Sequence, residues 1–224
     1  MKSFQSLYDH AAKRKGGEQA LEALLLPMPK SAKQLAAIPD DRWLAMMSRC
    51  VFQAGFSWKV IEKKWPEFEE AFAGFNPVRW MHMSDDDFDA LMKDRRVVRY
   101  ASKILAVRDN ATLLCDLAEA HGSAAHCFAE WPDEEYVELL LMLKKRGGRL
   151  GGNSAQYFLR SMGKNSFILG NDVVTALVRE GVITKEAKSQ RDLRAVQAAF
   201  NHWQDESQRP MTQISKVLAY TVGA

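Results

Sequence analysis

The stretch from Lys144 to Asp172, KKRGGRLGGNSAQYFLRSMGKNSFILGND, constrains this chain more than any other. Gly147, Gly148, Gly151 and Gly152 flank Arg149 and Leu150. Backbone without a side chain takes positive φ and comes close to another surface without steric cost. Asn153 or Ser154 then stands where a helix cap is expected. A helix N-terminus presents open amides, which attract anions. Lys144, Lys145, Arg146 and Arg149 add the positive charge that phosphates seek. After the helix, the apolar run Phe167-Ile168-Leu169 leads to one carboxylate, Asp172. The order predicts a basic turn, a glycine hairpin, an amphipathic helix and a loop ending in an acid. Such an order can clamp a DNA backbone and set an acid beside it. The plainer alternative is a Gly-rich helix–helix turn followed by a helix-capping Asp.

Periodicity predicts helix almost throughout. Trp43, Met46, Met47, Cys50 and Val51 share one face at helical spacing. Ser84-Asp85-Asp86-Asp87 has a capping-box pattern, with Phe88, Leu91 and Met92 behind it. Val97, Ile104, Leu105 and Val107 suit a helix ending near Asn110 or running to Leu117. Pro132 and the acids at 133–135 open another, and Leu193, Val196, Phe200 and Trp203 mark one more. A last short helix is expected after Pro210. No strand alternation is convincing, so the fold class is all-α. The 224 residues permit one large or two small domains, and the net charge of +3 makes any nucleic-acid binding depend on a local patch. Three cysteines without CxxC spacing suggest reduced thiols and an intracellular protein. No apolar run reaches a membrane span, and no signal-type core follows Lys2.

A second motif lies upstream. Phe52-Gln53-Ala54-Gly55-Phe56-Ser57-Trp58 continues through Lys63-Lys64 to Phe75-Asn76-Pro77. Val97-Val98-Arg99, Lys103 and Asn110-Ala111 follow. These residues resemble the DNA-3-methyladenine glycosylase I family, over roughly Trp43 to Asn110 and again over Lys144 to Asp172. With the glycine hairpin they place the chain near the wider helix-hairpin-helix DNA glycosylase superfamily.

The resemblance implies a two-lobed all-α fold. The chain would form a single glycosylase-like unit, with 44–172 as a core lobe carrying the hairpin and 1–40 with 173–224 as a second helical lobe. It implies Trp58 against an extruded base, with Phe56 near the wedge and Gln53 and Tyr100 at the base site. Core packing is the commoner fate of such aromatics. Lys145, Arg149, Gly148, Gly151, Gly152, Asn153 and Ser154 would hold the DNA backbone, and Asp172 would be the catalytic carboxylate.

The chain also departs from the family. A base-reading Glu is expected near position 50, where this sequence has Cys50. Glu18 and Glu22 are possible replacements. The Cys and His pattern of the family's structural zinc site is missing, and His121, His126 and Cys127 fit no common zinc spacing. No metal and no cofactor are therefore expected. Bifunctional members carry a hairpin Lys that attacks the sugar; here that position falls on or near Asn153, which disfavours a lyase. Arg99 and Lys103 stand one helical turn apart and face either phosphates or solvent.

The chemistry follows from the substrate. A base inside a duplex must be flipped out before its glycosidic bond is reached. Cleavage develops positive charge on the sugar, which a fixed carboxylate stabilises. A cationic alkylated purine such as 3-methyladenine leaves easily, so modest catalysis suffices. The expected function is therefore monofunctional removal of alkylated purines from double-stranded DNA, by a cytoplasmic, nucleoid-associated monomer with no membrane role. The main rival is a binder of abasic or damaged DNA that has lost catalysis. A third reading is an interaction protein whose basic hairpin is only a turn.

Overall fold

The computed structural model describes residues 1–223. The chain forms α1 (Phe4–Lys15), α2 (Glu18–Leu25), α3 (Ala32–Ala36), α4 (Asp40–Gln53), α5 (Trp58–Ala71), α6 (Pro77–Met81) and α7 (Asp85–Lys93). It continues with α8 (Ala101–His121), α9 (Ala124–Glu130), α10 (Tyr136–Arg146), α11 (Asn153–Met162), α12 (Asn171–Arg179), α13 (Gln190–Ser207) and α14 (Met211–Tyr220). No strand occurs among the described residues, which bears out the all-α expectation. The helices gather into two compact units. One comprises 1–30, 132–139 and 163–224; the other comprises 31–131 and 140–162.

The unit built on 31–131 and 140–162 packs α4 and α6 against α8, and α11 against α4. Its centre is aromatic. The rings of Trp43 and Phe128 lie 4.7 Å apart, and Phe158 from α11 meets Trp43 edge-on at 5.8 Å. Phe52, Phe68, Phe72, Phe75 and Trp80 are each nearly or wholly removed from solvent. Removing such large apolar surfaces from water is the main driving force for this packing. Helix ends are set by short-range chemistry. Asp40 accepts hydrogen bonds from the amides of Ala124 and Ala125 at the start of α9 (3.1 and 3.0 Å). The capping box at Ser84 is present, its side chain accepting from the Asp87 amide. The helix expected to end between Asn110 and Leu117 runs on to His121 as α8.

The unit built on the termini gathers α1, α2, α12, α13 and α14 with 132–139. Phe167 and Phe200 stack at 4.4 Å, with Tyr136 and Trp203 edge-on beside them. The side chain of Gln197 accepts from the amide of Val137 (2.8 Å), and Trp203 donates its indole N–H to the carbonyl of Lys2 (3.1 Å). The acids at 133–135 form a single 3-10 turn before α10 begins, so that helix starts later than Pro132 alone suggests.

Candidate nucleic-acid interface

The turn after α4 follows directly from its sequence. Gly55 sits at φ 77°, where a side chain is strained, and reverses the chain. The amide of Phe56 closes the turn on the carbonyl of Gln53 (3.0 Å), and Ser57 then opens α5. Phe56 and Trp58 come out 39% and 47% exposed, unusual for rings this large. Gln53 is buried.

Beneath this turn lies Lys103. The sequence offers it to phosphate or solvent, but the side chain is only 2% exposed. Its ammonium donates to the carbonyls of Phe52 (3.1 Å) and Ala54 at the C-terminal end of α4. The ring of Phe56 lies 4.3 Å from Nζ and that of Tyr100 lies 5.7 Å away. Burial, with Arg149 adding repulsion, pulls the Lys103 pKa down from its usual 10.5 to about 8. Arg99 is exposed just before α8, so it shares no face with Lys103.

The glycine hairpin divides into two pairs. A side chain at Gly148 would meet the Ala106 backbone at 2.8 Å, and one at Gly147 would meet Leu143 O at 2.8 Å. Those two glycines let the end of α10 approach α8. The Gly148 amide donates to Asn110 Oδ1 (2.8 Å) and its carbonyl accepts from Asn110 Nδ2 (3.2 Å). Its backbone N–H and C=O are thus both engaged by the Asn110 side chain. Among the four glycines only Gly152 takes positive φ (57°), and Arg149 does so earlier in the same hairpin (59°). Asn153 is the first residue of α11, so Asn153 and Ser154 lie in its first turn. Lys144, Lys145 and Arg149 are exposed on this hairpin. Arg149 donates to Ser102 (3.1 Å), and its guanidinium lies 5.8 Å from the ring of Tyr100. Tyr100 in turn meets Phe56 edge-on at 6.2 Å.

Between α4 and the start of α11 opens a cleft of about 190 Å³ lined by Cys50, Gln53, Ala54, Trp58, Asn153, Ser154 and Tyr157. Residues from both motifs thus meet in one place. Tyr157 is not singled out by the sequence. It stands edge-on to Trp58 at 5.2 Å. Its only advance signal is a tyrosine just off the apolar stripe of Ala155, Phe158, Leu159 and Met162. Cys50, at the position expected for a base-reading acid, is buried, and that burial pushes its thiol up to about 12.

Asp172 belongs to the other unit. It is exposed in the first turn of α12, where a carboxylate suits the helix dipole. Gly223 crowds it: a side chain there would come within 2.6 Å of Asp172 Oδ2. Glu22 is committed to Arg209 (2.6 Å) and Tyr8 (2.6 Å), which leaves it a structural role, while Glu18 is exposed. His121 and His126 are exposed, and no group of three metal-ligating side chains occurs among the described residues. No helix among them is long and apolar enough to cross a membrane.

A family described as methyladenine glycosylase matches residues 36–163. DNA-3-methyladenine glycosylase 1 of Escherichia coli K12 is 36% identical over 59 residues, which is 26% of this chain and 32% of that protein. The match thus spans about a third of the length of that relative, the 32% just given. Among solved structures, the 8-oxoguanine DNA glycosylase of Thermotoga maritima superposes with a TM-score of 0.59 at 16% identity, over 98% of this chain and 97% of that one. The 8-oxoguanine glycosylase/lyase of Methanocaldococcus jannaschii, seen with a DNA 15-mer containing 8-oxoguanine, gives 0.55 at 13% identity, over 96% of each chain. These two likenesses show that the chain shares their fold, which in this chain is all-helical among the described residues.

Proposed function

The chain belongs to the methyladenine glycosylase family, and from that premise we propose that it is a monofunctional DNA glycosylase that flips alkylated purines from double-stranded DNA and hydrolyses their N-glycosidic bonds. The observation that carries this reading is the cleft that joins Trp58 to the start of the hairpin helix at Asn153 and Ser154. An exposed indole beside a phosphate-seeking helix start is what an extruded nucleotide requires: a face to stack on and donors for its backbone. Trp58 stacks on the base, and Phe56 and Tyr100 flank it on the surface that Lys103 holds together. Gln53 offers its amide to the base. Lys145, Arg149, Gly151, Gly152, Asn153 and Ser154 hold the backbone. A 3-methyladenine-glycosylase relative and a fold neighbour seen with DNA support DNA as the partner. The protein acts as a monomer on chromosomal DNA in the nucleoid.

Asp172 is our catalytic carboxylate, on the strength of the resemblance to the wider helix-hairpin-helix superfamily, since the methyladenine glycosylase family itself has no clear catalytic Asp there, and of its exposure at a helix start. It stabilises positive charge on the sugar and orients water. Incubation with alkylated duplex DNA, with quantification of released bases, tests this. The wild type should release alkylated purines, and Asp172→Asn should slow release by about 100-fold, the usual scale for one electrostatic group. Tight binding to abasic-site DNA without release would make the chain a lesion binder instead.

A further inference from the structure

Little on its own element holds Trp58 in place. It is the first residue of α5, it is half exposed, and its indole N–H donates to no group among the described residues. An exposed side chain without such a tie samples several rotamers. Stacking on a base then costs the entropy of selecting one of them. One ring narrows that choice. Tyr157 meets the indole edge-on, with centroids 5.2 Å apart and planes at 85°, an arrangement that aromatic quadrupoles favour. No other ring meets Trp58 among the described residues. The Tyr157 hydroxyl makes no hydrogen bond among them either, so the contact is made by the ring alone. Tyr157 is in turn fixed by its helix. Ala155, Phe158 and Leu159 of α11 are wholly buried, and Phe158 meets Trp43 and Phe128 edge-on at 5.8 and 5.9 Å. Tyr157 stands four residues after Asn153, a spacing that puts both on one face, and both line the cleft. A single helix anchored in the core thus carries the start proposed to hold the DNA backbone and the ring that abuts Trp58.

We propose that Tyr157 is a positioning residue: its ring holds the Trp58 indole in the orientation that stacks on an extruded base, and ties that orientation to the helix start at the DNA backbone. The proposal rests on the glycosylase reading above and adds to it a residue which that reading does not use. Tyr157 acts through Trp58, so it contributes only where there is a base to stack. Because the stack is present before and during cleavage, Tyr157 strengthens substrate binding and leaves the chemical step alone.

Two measurements test it. One is single-turnover release of purines from methylated duplex DNA, which gives a half-saturating protein concentration and a maximal rate. The other is affinity for a duplex with one abasic site, which offers no base to stack. Tyr157→Ala should raise the half-saturating concentration about three- to ten-fold, the range for losing one aromatic pair. It should leave the maximal rate and the abasic-site affinity unchanged. Tyr157→Phe, which keeps the ring, should match the wild type. In a Trp58→Ala background Tyr157→Ala should add nothing, because the pair is already broken. Additive losses overturn the proposal, and so does an equal loss on the abasic-site duplex. A loss in Tyr157→Phe also overturns it, since the hydroxyl would then be what matters. If Tyr157→Ala does not fold, Tyr157→Leu fills the space without a ring and should show the same loss. A wild type that releases purines while Tyr157→Ala is unaffected defeats this proposal alone. A wild type that releases none and binds abasic-site and undamaged duplexes equally defeats the glycosylase reading, and the proposal with it.

Discussion

Lys103 shows how one residue can be misplaced by its type. A lysine one turn from an arginine at the start of a helix reads as a solvated or phosphate-facing pair. Its neighbours in space decide otherwise. Two carbonyls at the end of α4 lack helical partners, and an ammonium is the donor that reaches them from α8. The rings of Phe56 and Tyr100 close over it, so the exposed aromatic turn is held from below. That position has a pH signature. Lys103 titrates near 8 when folded, below the usual 10.5 of an unfolded lysine. Between those values the unfolded chain binds the extra proton, so this group's contribution to stability rises with pH across that window and is flat below it. Unfolding free energies of wild type and Lys103→Met, followed by denaturant melts at intervals across the window, should diverge in favour of the wild type as pH increases. A difference that narrows with pH would show that Lys103 is not held below its usual range.

At the scale of elements, the hairpin is a packing device first and a binding loop second. Gly148 lets α10 and α8 touch, and Asn110 clamps both polar groups of its backbone. Gly148→Ala would press a methyl against the Ala106 backbone at 2.8 Å and should cost about 1–3 kcal/mol, the usual range for overpacking. Gly151→Ala meets only Lys144 Cγ at 3.8 Å and should leave the melting midpoint unchanged. Calorimetry of the two variants checks the contrast, and equal losses would mean that the approach of α10 to α8 is not what Gly148 serves. This division also marks what the sequence makes legible. The helices can be read because Trp43, Leu91, Phe200 and Trp203 repeat at helical spacing, and because Ser84 and Asp87 form a local box. The hairpin and the aromatic turn can be read as contiguous motifs. The clamp of Asn110 on Gly148, the braced Lys103 and the wall made by Tyr157 cannot. Each joins residues distant in sequence, and such a pair leaves no periodic trace along the chain. Cys50 is legible as a missing acid, whereas its place in one cleft with Tyr157 needs α11 packed against α4.

For the whole molecule, the governing quantity is how little charge it carries. A net charge of +3 spread over 224 residues gives a weak global field. Whatever draws DNA must therefore come from where the charge is concentrated, and the exposed Lys145 and Arg149 lie in the chain just before α11. Local and global attraction make different demands on salt. Each phosphate neutralised steepens the fall of log affinity with log salt by about 0.9. Replacing Lys145 and Arg149 by glutamine should flatten that slope by about 2 and weaken binding most at low salt. Replacing Lys33 and Lys185, equally exposed but away from the hairpin in sequence, removes the same charge and should leave the slope unchanged. Fluorescence anisotropy with a labelled duplex over a salt series measures both. Equal flattening by the two double variants would make the attraction global, and no salt dependence in the wild type would reduce the basic hairpin to a turn between helices. A slope lost only with Lys145 and Arg149 would locate the backbone contact on the hairpin that adjoins Trp58 and Tyr157.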